Sequence, residues 1–344
     1  MFGHPPFTIL PNNYQAMKHL LTLGILCFLF VDYAKAETFK NTNENENGKS
    51  FGQLMSWVFD GEKSPERVKI ETSDEWQELA SDQLNYAIWI GHATYLINNG
   101  DINILTDPIF AKRASPIGFA GPERMIPAIM NLTDLPSIDV VVVSHNHYDH
   151  LDMYSLKRLH KINPETIFLV PMGDGKRLKK AGLTHVHELR WWESMKVGQS
   201  TIHFTPVQHW SKRGLFDRNK SLWGGWFIES KNLKLYHAGD TGYSNDFKTT
   251  YQQLGAPDYS FIPIGAYDPR WFMKDSHVNP EEAVQIALDL QTPHSFGMHW
   301  GTFTLTDEPV AEPPIRLAAE LKAQGLQPEF FQSPKPGEVL NLSK

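Results

Sequence analysis

The sequence predicts an α/β protein whose two halves pack sheet to sheet. Short β-branched and aromatic runs recur from Tyr86 onward and read as buried strands. The stretches between several of them carry helix caps and apolar residues at helical spacing. Their order decides the class: early strands with few helices come first, then strands and helices again, as two α/β halves require. A chain of 344 residues, 41% hydrophobic and 21% charged, can fill the core such a fold needs. Its net charge of −7 argues against a general nucleic-acid binder.

The amino-terminal residues stand outside that fold. Met17-Lys18-His19 reads as a basic n-region, and residues 20–31 form an apolar run too short for a comfortable transmembrane helix. Ala34-Lys35-Ala36 then supplies a cleavage pattern. Residues 1–36 are therefore expected to be a signal peptide with Met17 as its true start, leaving Glu37 as the first mature residue. The expected location is the periplasm or the exterior; an uncleaved anchor, and hence membrane association, is the rival reading. The single cysteine, Cys27, lies in the apolar run, so metal ligands in the mature chain must be His, Asp or Glu. Residues 37–50, polar and without apolar spacing, are expected to be a flexible linker, and residues 51–344 a single domain.

Strands are expected over 86–90, 102–105, 138–143, 166–170, 201–204, 222–228, 233–237, 259–264 and 295–299. Helices are expected over 154–161 and over 174–181, the latter stopped by Gly182. Asn279-Pro280-Glu281-Glu282 predicts another, with Asn as N-cap, Pro at the first position and Glu closing a capping box. Ala283, Val284, Ile286, Ala287 and Leu290 give it an apolar face. Pro313-Pro314 opens a last helix that ends at Gly325.

The chemistry concentrates at the end of the 138–143 strand, in Ser144-His145-Asn146-His147-Tyr148-Asp149-His150-Leu151-Asp152. His145 and His147 are two apart and leave the same face of an extended backbone. Imidazole nitrogen and carboxylate oxygen suit Zn, Mn or Fe rather than Ca. A solvated histidine-rich turn is the plainer reading, but three histidines and a carboxylate placed directly after a buried strand point to a metal. Three further positions repeat the arrangement of apolar strand, one metal-ligating residue type, then a turn: His209, Asp240 before Thr241-Gly242, and His299 before Trp300-Gly301.

With these residues in view, the chain resembles the metallo-β-lactamase superfamily, and more closely the N-acyl-phosphatidylethanolamine-hydrolysing phospholipase D family. The longer strings carry the closer likeness: Gly91-His92-Ala93-Thr94, Leu105-Thr106-Asp107-Pro108, His209-Trp210, Ala238-Gly239-Asp240-Thr241-Gly242-Tyr243 and His299-Trp300-Gly301-Thr302-Phe303. The signal segment departs from animal members, which are intracellular and membrane-associated. The resemblance implies a four-layer αββα sandwich with two mixed sheets flanked by helices. It implies one zinc on His145, His147 and His209, a second on Asp149, His150 and His299, and Asp240 bridging them; another divalent transition metal is the alternative cofactor. An anionic bridge would screen two cations about 3.5–4 Å apart, and a zinc-activated hydroxide would remove the need for a Ser or Cys nucleophile.

Around that set, Asp149, Asp240 and His277 are the expected catalytic residues. His277, just before the capped helix, is read either as hydrogen-bonding phosphate or protonating a leaving alkoxide, or as a helix-entry histidine that touches only solvent. Asp107 either orients a metal-bound histidine or fixes a turn; Asp152 frames the motif in a supporting role, and His92 is expected to be structural. Trp210, Trp271, Phe272 and Met273 are candidates to line an acyl groove, and Arg270 with Arg213 to meet phosphate or anionic head groups, while Lys212 is expected on a solvated charged rim. The expected reaction is hydrolysis of N-acyl-phosphatidylethanolamine or a related phospholipid to phosphatidic acid and N-acylethanolamine. A lactonase or small-ester hydrolase of the same superfamily, or a non-enzymatic metal-dependent lipid-binding envelope protein, are the alternatives. The expected partners are the phospholipid, a transiently bound membrane surface and a second copy in a homodimer, with no nucleic acid.

Overall fold

The computed structural model describes residues 38–44, 56, 68–80, 82–126 and 129–343. The expected signal peptide lies outside the described residues. Among those described, no helix is long and apolar enough to cross a membrane.

Two seven-stranded sheets make the centre. The first contains β1 (Tyr86–Gly91), β2 (Thr94–Asn98), β3 (Asn103–Thr106), β4 (Val140–Val142), β5 (Ile167–Pro171), β6 (Val186–Leu189) and, from the far end of the chain, β14 (Val339–Asn341). Its order is β14-β1-β2-β3-β4-β5-β6. The second runs β13-β12-β11-β10-β9-β8-β7. It is built from β7 (Ser194–Val197), β8 (Ser200–Thr205), β9 (Gly225–Glu229), β10 (Lys234–His237), β11 (Tyr259–Pro263), β12 (His294–Met298) and β13 (Phe331–Gln332). Both sheets mix parallel and antiparallel pairs.

Alternation along the first sheet explains the layering. Trp89, Tyr95, Ile97, Ile104, Val140 and Val142 join the cluster that holds the second sheet's Phe204, Trp226, Leu235 and Phe261. Their neighbours Ile88, Ile90, Leu96, Leu105, Val141 and Val143 face the other way. There they meet Leu156 and Leu159 of α1 (Met153–Ile162) and Leu178 of α2 (Gly175–Lys180). A strand buried on both faces has no polar positions to spare, which is why β4 reads as an unbroken Val run. On the second sheet's side stand α3 (Asp246–Leu254), α4 (Arg270–Met273), α5 (Pro280–Asp289) and α6 (Glu312–Gln324). Phe247 of α3, Ala283, Val284 and Ile286 of α5, and Leu317 and Leu321 of α6 enter that core. The expected four-layer arrangement is present.

The α5 cap is built as its sequence predicts. The Asn279 side chain accepts from the Glu282 amide at 2.9 Å, and the Glu282 carboxylate accepts from the Asn279 amide at 3.4 Å. Seven elements stand beyond those expected: β2, β6, β7, β13, β14, α3 and α4. The β2 strand was hidden by the tight hairpin at His92-Ala93, where Gly91 and His92 have φ of 129° and 56°. Strands β13 and β14 are too short to show a period, and α3 is mostly polar in sequence, with only Asp246, Phe247 and Thr250 buried.

The flexible-linker expectation is corrected over residues 38–44. Asn41 is 4% exposed, and its Oδ1 accepts from the His209 amide and from Trp223 Nε1, both at 3.0 Å. The Phe39 amide donates to Asn219 O, Thr42 Oγ1 to Asp246 and Asn43 Nδ2 to Gln208. Hydrogen bonds at a single buried asparagine need no apolar periodicity, so composition gave no sign of them. Residues 45–50 lie outside the described residues.

Candidate metal centre

The site forms where strand ends of the two sheets meet. Strands β3, β4 and β5 are mutually parallel, and β4 ends at Val142, so the following loop leaves at that edge. In the second sheet β10, β11 and β12 are parallel, and β8 runs with them because β9 is antiparallel to both β8 and β10. His209, Asp240, His277 and His299 follow β8, β10, β11 and β12. Gly239 lets the sheets close here: its φ is 63°, and a Cβ would stand 2.6 Å from the Ser144 Cβ.

All seven expected ligands converge. His145, His147, His209 and Asp240 form one group, and His92, Asp149, His150 and His299 another; within each group one side-chain N or O atom per residue lies within 4.8 Å of the others. Asp240 reaches both. Its Oδ2 is 3.1 Å from His150 Nε2, 3.8 Å from His145 Nε2 and 3.9 Å from His209 Nε2, and its Oδ1 is 3.1 Å from His299 Nε2. Asp149 Oδ2 lies 3.5 Å from both His150 Nε2 and His299 Nε2.

The surroundings fix which nitrogen faces inward. Asp107, fully buried, accepts from the Ser144 amide at 2.7 Å and from Ser144 Oγ at 2.6 Å, and pairs with His150 Nδ1 at 2.8 Å. With its proton on Nδ1, His150 turns Nε2 to the centre. Since Ser144 Oγ donates to Asp107, it can accept from His145 Nδ1 at 2.9 Å, leaving the His145 Nε2 lone pair inward. His209 Nδ1 donates to Ser276 O at 2.9 Å with the same result. Asp107 therefore orients a histidine of the site rather than merely a turn. His92, expected to be structural, places Nε2 3.0 Å from Asp149 Oδ2. Asp152 caps α1, accepting from the Tyr154 and Ser155 amides.

The donor set fits divalent metals. His150 Nε2, His299 Nε2 and Asp240 Oδ1 are buried, lack a hydrogen-bond partner and face one another. Burial first, and then neighbouring imidazoles, hold His145 well below the ordinary histidine range, so it is a neutral donor. His299 goes the other way: burial alone would lower it, but Asp240 and Asp149 raise it to about 9. Asp149 and Asp240 stay well below the ordinary carboxylate range despite burial, because His150 and other imidazoles face them. Two buried carboxylates thus demand positive charge, which imidazolium protons meet and divalent cations would replace.

The remaining expected site residues divide. The Trp210 ring packs edge-on against His147, with centroids 4.2 Å apart. His277 puts Nδ1 3.8 Å from Asp240 Oδ2, with 15% of its side chain exposed. Trp271 is 54% exposed and Phe272 packs against it, whereas Met273 is buried. Arg270 corrects the phosphate expectation: it donates to His277 O and to Glu282 Oε2, both at 2.7 Å, and so braces the His277 turn. Arg213 is likewise structural, donating to the Asn146 and Leu151 carbonyls at 3.0 and 2.7 Å while stacking on Tyr148.

A β-lactamase superfamily domain matches residues 102–300. Over 270 residues the chain is 42% identical to N-acyl-phosphatidylethanolamine-hydrolyzing phospholipase D 1 of Caenorhabditis elegans, covering 75% of this chain and 76% of the worm protein. The chain belongs to this phospholipase D family of the β-lactamase superfamily. The mitochondrial N-acyl-phosphatidylethanolamine-hydrolyzing phospholipase D of Saccharomyces cerevisiae is 38% identical over 241 residues, 67% of this chain and 51% of the yeast protein. The fold also matches the isothiocyanate hydrolase from Delia radicum gut bacteria, with a TM-score of 0.61 at 19% identity over 74% of this chain and 98% of that one. The family member described here is a metal-dependent hydrolase, and its histidine–aspartate groups are candidate metal sites.

Proposed function

We propose that the protein is a two-zinc phosphodiesterase of phospholipase D type. Its substrate is N-acyl-phosphatidylethanolamine or a close phospholipid, and its products are phosphatidic acid and N-acylethanolamine. The observation that carries the reading is the position of Asp240, within 3.1 Å of His150 and His299 and grouped with His145, His147 and His209. One carboxylate shared by two donor groups suits a pair of cations. His145, His147 and His209 would hold one, Asp149, His150 and His299 the other, with Asp240 between them. The identity to the worm enzyme supports the choice of substrate.

Bound there, divalent cations would supply an activated water and charge stabilisation for a phosphoryl oxygen. The chain's own residues do the positioning. Asp107 holds His150, Ser276 O holds His209, and Asp149 is braced by His92. His277, partly open and close to Asp240, is placed to hydrogen-bond the phosphate or pass a proton to the leaving alkoxide. Trp210, against His147, forms an apolar wall at the site, and Trp271 with Phe272 extends apolar surface beside the His277 turn.

Hydrolysis in ¹⁸O-water tests this. A P–O bond to the ethanolamine side breaks, a P–O bond to the water oxygen forms, and the alcohol leaves with a proton. Label should therefore enter phosphatidic acid and not N-acylethanolamine. Label in a released fatty acid, or lactone turnover without phospholipid turnover by zinc-loaded protein, would overturn the reading.

A further inference from the structure

The loop between β8 and β9 spends many polar contacts to hold two large apolar side chains in water. Leu215 is 84% exposed and Phe216 85%. The tip beneath them is closed by hydrogen bonds. Asp217 Oδ1 accepts from the Gly214 and Arg213 amides at 2.6 and 3.1 Å, and the Asn219 amide closes the loop on Ser211 O at 2.8 Å. The base of the loop is bolted to the site: Arg213 donates to the Asn146 and Leu151 carbonyls, and the Tyr148 hydroxyl donates to Arg213 O at 2.7 Å. A floppy loop could fold such side chains away; this one presents them.

We propose that this loop is a wedge that seats the site on an anionic lipid bilayer, an assignment that rests on the phospholipase reading above. Three features favour a bilayer over a protein partner. First, large exposed apolar residues stand on separate loops of the same strand-end edge as the metal centre: Phe119, 84% exposed, after β3; Leu215 and Phe216 after β8; Trp271 after β11. A protein interface needs a continuous complementary face, whereas a bilayer accepts isolated tips. Second, the tip has basic flanks, with Lys212 and Lys220 exposed and Arg218 stacked on Trp210 at 4.3 Å. Asp217, the acid among them, is turned to backbone amides. That balance complements anionic lipid although the chain as a whole carries −7. Third, the stack joins the basic flank to Trp210 and through it to His147, so a seated loop sets the depth of the site below the headgroups.

Vesicle flotation tests the proposal, using phosphatidylcholine vesicles with and without phosphatidylglycerol. Wild type should bind, and bind better with phosphatidylglycerol. Leu215→Ser with Phe216→Ser should weaken binding to both vesicles by about tenfold or more. Lys212→Glu with Lys220→Glu should abolish the preference for phosphatidylglycerol, a change of about tenfold or more. Turnover of a short-chain phospholipid below its micelle concentration should be unchanged in both. If the double serine variant melts lower than wild type, Phe216→Ser alone carries the test. Absence of wild-type binding, or equal binding by the serine variant, overturns the proposal. So does a dimer-to-monomer shift on serine substitution in light scattering, which would assign the tip to a second copy. Wild-type binding without any phospholipid turnover would leave the wedge standing and remove the phospholipase reading; turnover of short-chain lipid without vesicle binding would do the reverse.

Discussion

Asn41→Ala should lower the melting temperature of this protein by several degrees, although Asn41 lies in a segment whose composition reads as linker. The Asn41 Oδ1 atom accepts two hydrogen bonds at 3.0 Å, from the His209 amide and from Trp223 Nε1. Trp223 Nε1 also donates to Val207 O at 3.1 Å, so it keeps an acceptor after the substitution. The His209 amide loses this acceptor, and His209 is fully buried. Depriving a buried donor of its acceptor costs about 1–3 kcal/mol. For a domain of this size that is a fall of about 2–6 °C. Thr42→Val is the control: Thr42 is exposed and gives up a bond to Asp246, whose other oxygen still accepts from Ser244, so it should cost about 1 kcal/mol or less. Calorimetry on both variants, with and without added zinc, measures the difference. An unchanged melting temperature for Asn41→Ala, or equal losses for the two variants, would refute the claim that this strap holds the His209 turn.

Four further outcomes are expected. Asp240→Asn should lose at least one metal by elemental analysis, because an amide cannot supply the negative charge shared by the two groups; unchanged stoichiometry would end the bridging assignment. Asp107→Asn should weaken metal affinity by about 10–100-fold, since Asp107 orients His150, and a metal titration that overlays wild type would refute it. His277→Ala should lower kcat by about 10²-fold or more with metal content intact; loss of metal instead would make His277 a ligand. Asp174 is pushed up to about 6, by burial above all, against bonds from Asn146 and Ser221. The native state thus favours its protonated form, and stability from this group falls as pH rises from the unfolded carboxylate value through 6. Asp174→Asn should therefore gain stability relative to wild type at pH 7 and not at pH 4, with denaturant titrations at both values as the check.

Much of the fold was legible because burial leaves a direct mark on composition. Strands buried on both faces, such as β4 and β11, must be nearly all apolar, and a helix that opens at Asn279-Pro280 carries its cap in its own first turn. Hairpin β2 and the two-residue β13 left no such mark, since a tight turn at His92 and a short edge strand have no period to detect. Arg270 shows the opposite failure. A cation near site loops suggests an anion to bind, yet Glu282, twelve positions on, had already claimed it across the turn into α5.

The sequence by itself determined the chemistry: a His/Asp loop at the end of a buried strand, and His or Asp at three other strand ends. Those residues stand where they do because a strand end is a local feature, written in neighbouring residues. Tertiary structure decided how the pieces are held. Asp107 meets His150, His92 meets Asp149, and Asn41 meets the His209 amide across 43, 57 and 168 positions. The two sheets approach closely enough for Asp240 to reach both donor groups only where Gly239 leaves room beside Ser144. Such contacts depend on which strands pair and how the sheets stack, and no run of neighbouring residues encodes that.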